Sequence, residues 1–105
     1  MKIREVIEYL RRFPSDFLLE RSLGEFHSYR GDYHSLGVSY NSTMISLADQ
    51  IKMFEIASAA TFDGHKGDQF SMTLDTDVYL AFPGCEGVKL RQHDIASWLF
   101  VWSKK

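Results

Sequence analysis

Arg30-Gly31 and His65-Lys66-Gly67 are the pieces of this 105-residue chain whose residue types point most directly at chemistry. An arginine offers a planar fork that matches a carboxylate or phosphate, and a neighbouring glycine lets backbone approach the same ligand. The run Gly64-His65-Lys66-Gly67 can present a cation beside free backbone N–H groups, an arrangement suited to an anion. Brought together, Arg30, His65 and Lys66 make a cationic cup, with Tyr29, Tyr33 and Phe26 as stacking faces for a base. The plainer reading pairs Arg30 with a local acid such as Asp32 and leaves the glycines to serve turns. Neither piece is a Walker loop, because the stretch from Gly64 to Asp68 lacks that motif's length and its Lys-Ser/Thr ending.

Other chemistries fit less well. His27, His34, His65 and His93 follow no familiar ligand spacing, and neither His-Glu-x-x-His nor Cys-x-x-Cys occurs. No metal and no cofactor is expected; the residual metal reading pairs Asp32 with His34. Cys85 could act as a nucleophile with His93 as base, but the adjacent Glu86 disfavours the thiolate, so an inert loop cysteine is expected. Asp63, Asp68, Asp75 and Asp77 could supply paired carboxylates for hydrolysis, yet turn positions account for them, since aspartate caps its own backbone there. No catalytic residue is assigned.

The bulk numbers bound these readings. The chain suits one domain spanning residues 1–105, with an apolar fraction of 45% and a charged fraction of 25%, both ordinary for a globular protein. A net charge of −2 argues against duplex nucleic acid as a main partner, because phosphate neutralisation needs a basic excess. The single cysteine excludes an intramolecular disulfide. No apolar run approaches the roughly 20 residues needed to span a bilayer, and Met1 to Phe13 lacks a continuous apolar stretch of the secretory kind. A cytoplasmic protein without membrane contact is expected.

The elements that must position the site follow from periodicity. Ile3, Val6, Ile7 and Leu10 recur at helical spacing and predict a helix over Ile3 to Arg12, ended by Pro14. Asp16 to Arg21 predicts a first strand. Ser22 to Asn41 is rich in Gly, Ser, Tyr and His, with a possible strand over Tyr33 to Tyr40. Ser46 and Asp49 form a variant capping box ahead of a helix faced by Leu47, Ile51, Phe54 and Ala57 or Ser58 and ending near Ala60. Phe70, Met72 and Leu74 alternate with polar residues and predict a strand that pairs with Val78 to Phe82 in an antiparallel hairpin. Pro83 to Gly87 reads as a surface loop, and Ile95 to Trp102 as a final strand, with a short helix as the competing reading. The fold expected is α+β: two helices packed on an antiparallel sheet of about four strands, with Leu47, Ile51 and Phe54 facing Phe70, Met72, Val78 and Leu80.

The segments from Ser28 to Val38 and from Thr61 to Met72 resemble paired motifs of a family of small uncharacterised phage proteins. The matching residues are Ser28, Tyr29, Arg30, Gly31, Tyr33, Leu36, Phe62, Gly64, Lys66, Gly67 and Phe70; Asp68 departs from the pattern where a second glycine is expected. The opening helix, Pro-Asp turn and strand resemble a start common among phage and bacterial proteins. The resemblance implies a phage origin and a shared fold, and no activity.

On these grounds the expected function is a non-enzymatic phage accessory protein, of the host-takeover or anti-defence kind. It would sequester a small anionic ligand, a nucleotide or nucleotide-derived signal, through Arg30, Lys66, His65, Tyr29 and Tyr33. The alternative is a protein that inhibits a host or defence enzyme by direct contact, and a small hydrolase comes third. Trp98, Phe100 and Trp102 suggest a subunit interface and hence a homo-oligomer, with core packing as the plainer alternative. The central helix alone would hold Arg30 and Lys66 apart. They meet only if the segment from Gly31 to Thr43 runs back along it as a strand.

Overall fold

A computed structural model describes residues 1–14, 16–19, 22–28, 35–41, 44–63, 67, 69–82, 85–92, 94 and 95. Helix α1 (Ile3–Leu10) turns Ile3, Val6, Ile7 and Leu10 inward as its spacing requires, and all four are buried. Its first turn is capped from two directions. The Glu5 carboxylate accepts the Lys2 backbone N–H at 2.7 Å, and the free N–H groups of Ile3 and Arg4 donate to the carbonyls of Thr76 and Leu74 at 2.8 and 2.9 Å. The chain then makes a short strand β1 (Leu18–Leu19), the strands β2 (Ser22–Ser28) and β3 (Leu36–Asn41), and β4 (Ile45–Ser46), which pairs antiparallel with β1.

Helix α2 (Leu47–Ala57) starts at Ser46, whose hydroxyl accepts the Asp49 N–H at 3.1 Å, as the capping pattern predicts. It ends three residues before the expected Ala60. Beyond it, β5 (Thr61–Asp63) and β6 (Gln69–Ser71) form a small antiparallel ribbon. Strands β7 (Val78–Phe82) and β8 (Cys85–Lys89) complete a four-stranded sheet in the order β2-β3-β7-β8. Its outer pairs are antiparallel, but the central pair, β3 with β7, is parallel, so the sheet is mixed. The architecture is α+β with a sheet of four strands. One core unites Ile3, Val6 and Leu10 of α1, Leu47 and Phe54 of α2, and Leu36, Val38, Phe70, Met72, Val78 and Leu80.

Three expectations are corrected. The stretch from Phe70 to Leu74 does not pair with Val78 to Phe82. The connection between them instead gives its carbonyls to the first turn of α1, and Lys2, just before that helix, bridges Asp77, so β6 finds β5 and β7 finds β3. Leu74, placed by alternation on the inner face, sits in that connection with 42% of its surface exposed. Cys85 to Gly87 belongs to β8, so the loop expected there is a strand instead. Where residues beyond Arg91 are described, Gln92, Asp94 and Ile95 are helical, which favours the competing reading at the start of the expected final strand. Trp98, Phe100 and Trp102 lie outside the described residues. Strand β2 falls in the segment rich in Gly, Ser, Tyr and His, ahead of the strand expected over Tyr33 to Tyr40.

Candidate functional site

All five residues of the expected anion site, Tyr29, Arg30, Tyr33, His65 and Lys66, lie outside the described residues. The elements that carry them are described. Residues 29–35 connect the end of β2 at Ser28 to the start of β3 at Leu36, and residues 64–68 connect β5 to β6. Leu23 of β2 is bound to Gln50 of α2, and Phe26 packs on Phe54, ring centroids 5.0 Å apart. Both partners therefore advance in the same direction, so β2 runs parallel to α2 and ends near the helix's C-terminus. Strand β3 pairs antiparallel with β2 and returns along the helix. That is the path required for the two connections to start from one end of α2, because β5 also emerges there, after Ala60, and lies against β2. Gly67, the described residue of the second connection, is exposed and has φ of 84°, a left-handed conformation that its missing Cβ makes inexpensive.

The Leu23 contact is made by a buried side chain. Gln50 is fully buried; its Oε1 accepts the Leu23 N–H at 2.7 Å and its Nε2 donates to the Leu23 carbonyl at 3.0 Å. One amide thus reproduces a rung of β-ladder on the outer edge of β2. The sequence carried a signal for it: Gln50 stands three residues after Leu47 and four before Phe54, a polar side chain on an apolar face.

Between Gly24 and His27 the pairing of β2 slips, and Glu25 takes φ of 54°, the left-handed region. The slip re-aims two side chains. Phe26 turns into the core beside Phe54, and His27 turns outward with Nδ1 donating to the Glu25 carbonyl. The imidazole leans over Gly37 on the neighbouring strand. A Cβ placed on Gly37 would stand 2.5 Å from Nε2 and 2.8 Å from Cε1.

Elsewhere the described cations are mostly answered by acids. Arg4 meets Asp75 at 3.1 Å, Arg11 meets Glu55 at 2.6 Å, and Lys89 meets Asp77 at 3.4 Å. Arg91 chelates Asp94, which raises the guanidinium pKa further above its usual value. An open cleft of about 630 Å³ is lined by Met1, Glu5, Val88, Lys89, Leu90 and Arg91. The Met1 amine there donates to the Leu90 carbonyl, and burial, with Lys89 nearby, lowers its pKa. Among the described residues no group of three or more His, Cys, Asp or Glu side chains is arranged to hold a metal ion. Among them, too, no helix is long and apolar enough to cross a membrane. Comparison with family models, curated proteins and solved structures found no match.

Proposed function

We propose that the chain is a non-enzymatic phage accessory protein that binds and sequesters a small anionic ligand, a nucleotide or nucleotide-derived signal, through Arg30 and Lys66 with His65, Tyr29 and Tyr33 beside them. The observation that supports this reading is the return of β3 along α2, which brings the roots of both motif connections to one end of that helix. Work in the cytoplasm of a host cell, as a host-takeover or anti-defence factor, belongs to the same proposal, as does a homo-oligomer formed through Trp98, Phe100 and Trp102. Direct inhibition of a host enzyme is the second reading, favoured if purified protein carries no small molecule.

Mass spectrometry of small molecules released from the purified protein tests it. A nucleotide-class anion should accompany the wild type, and Arg30→Ala and Lys66→Ala should each weaken its rebinding by more than about tenfold while leaving the melting temperature nearly unchanged. Equal binding by wild type and both variants would end the proposal. A sharp monomer mass by light scattering at high micromolar protein would end the oligomer.

A further inference from the structure

The C-terminal end of β8 leaves a stretch of sheet edge open. In an antiparallel pair, residues that exchange backbone bonds alternate with residues whose N–H and C=O point away from the partner strand. The Leu90 N–H donates to the Val78 carbonyl at 2.8 Å, and the register sets Leu80 against Val88 and Tyr79 against Lys89. Val88 and Leu90 therefore turn their backbone groups toward β7. Lys89 turns its own to the free side, because β8 is the last strand of the sheet. Among the described residues no group meets the Lys89 N–H or C=O. The opening is short, since the Arg91 N–H already donates to the Asp94 carboxylate at 2.9 Å. Beside it lies the cleft of about 630 Å³, lined by the four consecutive residues Val88 to Arg91 together with Met1 and Glu5. Val88 is 47% exposed there. The lining is unbalanced in charge: Lys89 and Arg91 stand against the single carboxylate of Glu5, and the acids that pair with them, Asp77 and Asp94, are not part of it.

We propose that this edge docks an extended acidic segment of a partner protein, which adds to the sheet as a further strand at Lys89. Strand addition draws its hold from backbone bonds and its specificity from where alternate side chains land. Successive side chains of an added strand point to opposite faces. One set falls on the side of Val88 and the cleft, which suits Val or Ile. The other falls beside Lys89, which suits Glu or Asp. The lysine is free to serve, because it and Asp77 are 3.4 Å apart with both side chains more than a third exposed, so exchanging one carboxylate for another costs little. The same lysine argues against a second copy of this chain as the occupant. Pairing β8 with its own copy about Lys89 sets two ammonium groups side by side, and an edge lysine is a common guard against such self-pairing. The dock depends on neither Arg30 nor Lys66.

Titration of the ¹⁵N-labelled protein with two blocked peptides, acetyl-Glu-Val-Glu-Val-Glu-Val-amide and acetyl-Lys-Val-Lys-Val-Lys-Val-amide, followed by amide shifts, tests it. The acidic peptide should shift Val88, Lys89, Leu90 and Arg91, with the Lys89 amide proton moving downfield as it gains an acceptor. The basic peptide should leave them unmoved. Prolines at the two central positions of the acidic peptide, which remove backbone N–H groups, should abolish the response. Lys89→Glu should weaken the acidic peptide at least about tenfold and admit the basic one. Lys89→Gln, which adds no repulsion toward Asp77, should weaken the acidic peptide with an unchanged melting curve. Arg30→Ala should leave the shifts in place. No response to the acidic peptide, equal binding of the basic or the proline peptide, or undiminished affinity in Lys89→Gln would each overturn the dock. Shifts of Lys89 that grow with protein concentration in the absence of peptide would overturn it in favour of a second copy. Shifts confined to residues 29–34 and 64–68 would overturn it and leave the loop site standing.

Discussion

Gln50 sits where a leucine would satisfy every packing rule, and its amide is what closes the outer edge of β2. Replacing it by leucine removes both partners of the Leu23 backbone and leaves a buried N–H and C=O unanswered, a loss of about 2–3 kcal/mol. Urea unfolding of Gln50→Leu measures this; a change under about 0.5 kcal/mol would show that water reaches Leu23 instead. Glu25 is strained in the opposite sense. A non-glycine residue in the left-handed region costs about 1 kcal/mol, so Glu25→Gly should raise stability by up to that amount. Gly37 and His27 form a coupled pair. Gly37→Ala should destabilise the protein, because the added methyl meets the imidazole, and His27→Ala should recover most of that loss in the double variant. A thermal-melt cycle with additive effects would refute the contact.

At the scale of elements, the helices were legible and the strands only partly. Both helices declare themselves in a period that local backbone bonding enforces, and the Ser46–Asp49 cap is local too. Ser46→Ala should cost about 1 kcal/mol in chemical denaturation. Phe54→Asp or Leu47→Asp, each burying a charge in the core, should abolish soluble expression. Strand β2 escaped notice because its bulge puts Leu23 and Phe26, three residues apart, on one face, which defeats a period of two. The hairpin expected between Phe70 and Phe82 failed for a non-local reason. Its turn region is engaged by the first turn of α1, some seventy positions earlier in the chain, and no window of sequence displays that competition. Arg30 and Lys66 were singled out from residue type alone and lie outside the described residues; the strands that lead to their connections do return to one end of α2.

At the scale of the molecule, surface charge contributes little. The pairs Arg4–Asp75 and Arg11–Glu55 tie α1 to the β6–β7 connection and to α2, but all four side chains are about half exposed. Arg11→Ala should cost less than about 1 kcal/mol, and molar salt should barely move the melting temperature beyond its effect on other proteins. Stability rests on the shared core.

The parallel pairing of β3 with β7 governs how the chain can fold. Between Asn41 and Val78 lie α2 and the β5–β6 ribbon, and the first residues of the chain bond to Thr76, Val78 and Leu90. During synthesis, therefore, β3 waits with one side unpaired until the chain has grown past residue 82. Early intermediates expose a strand edge, and the sheet closes only after a long loop has been ordered. Refolding should be correspondingly slow, in the range of milliseconds to seconds rather than microseconds, and a fragment ending at Asp77 should aggregate where the full chain stays dispersed.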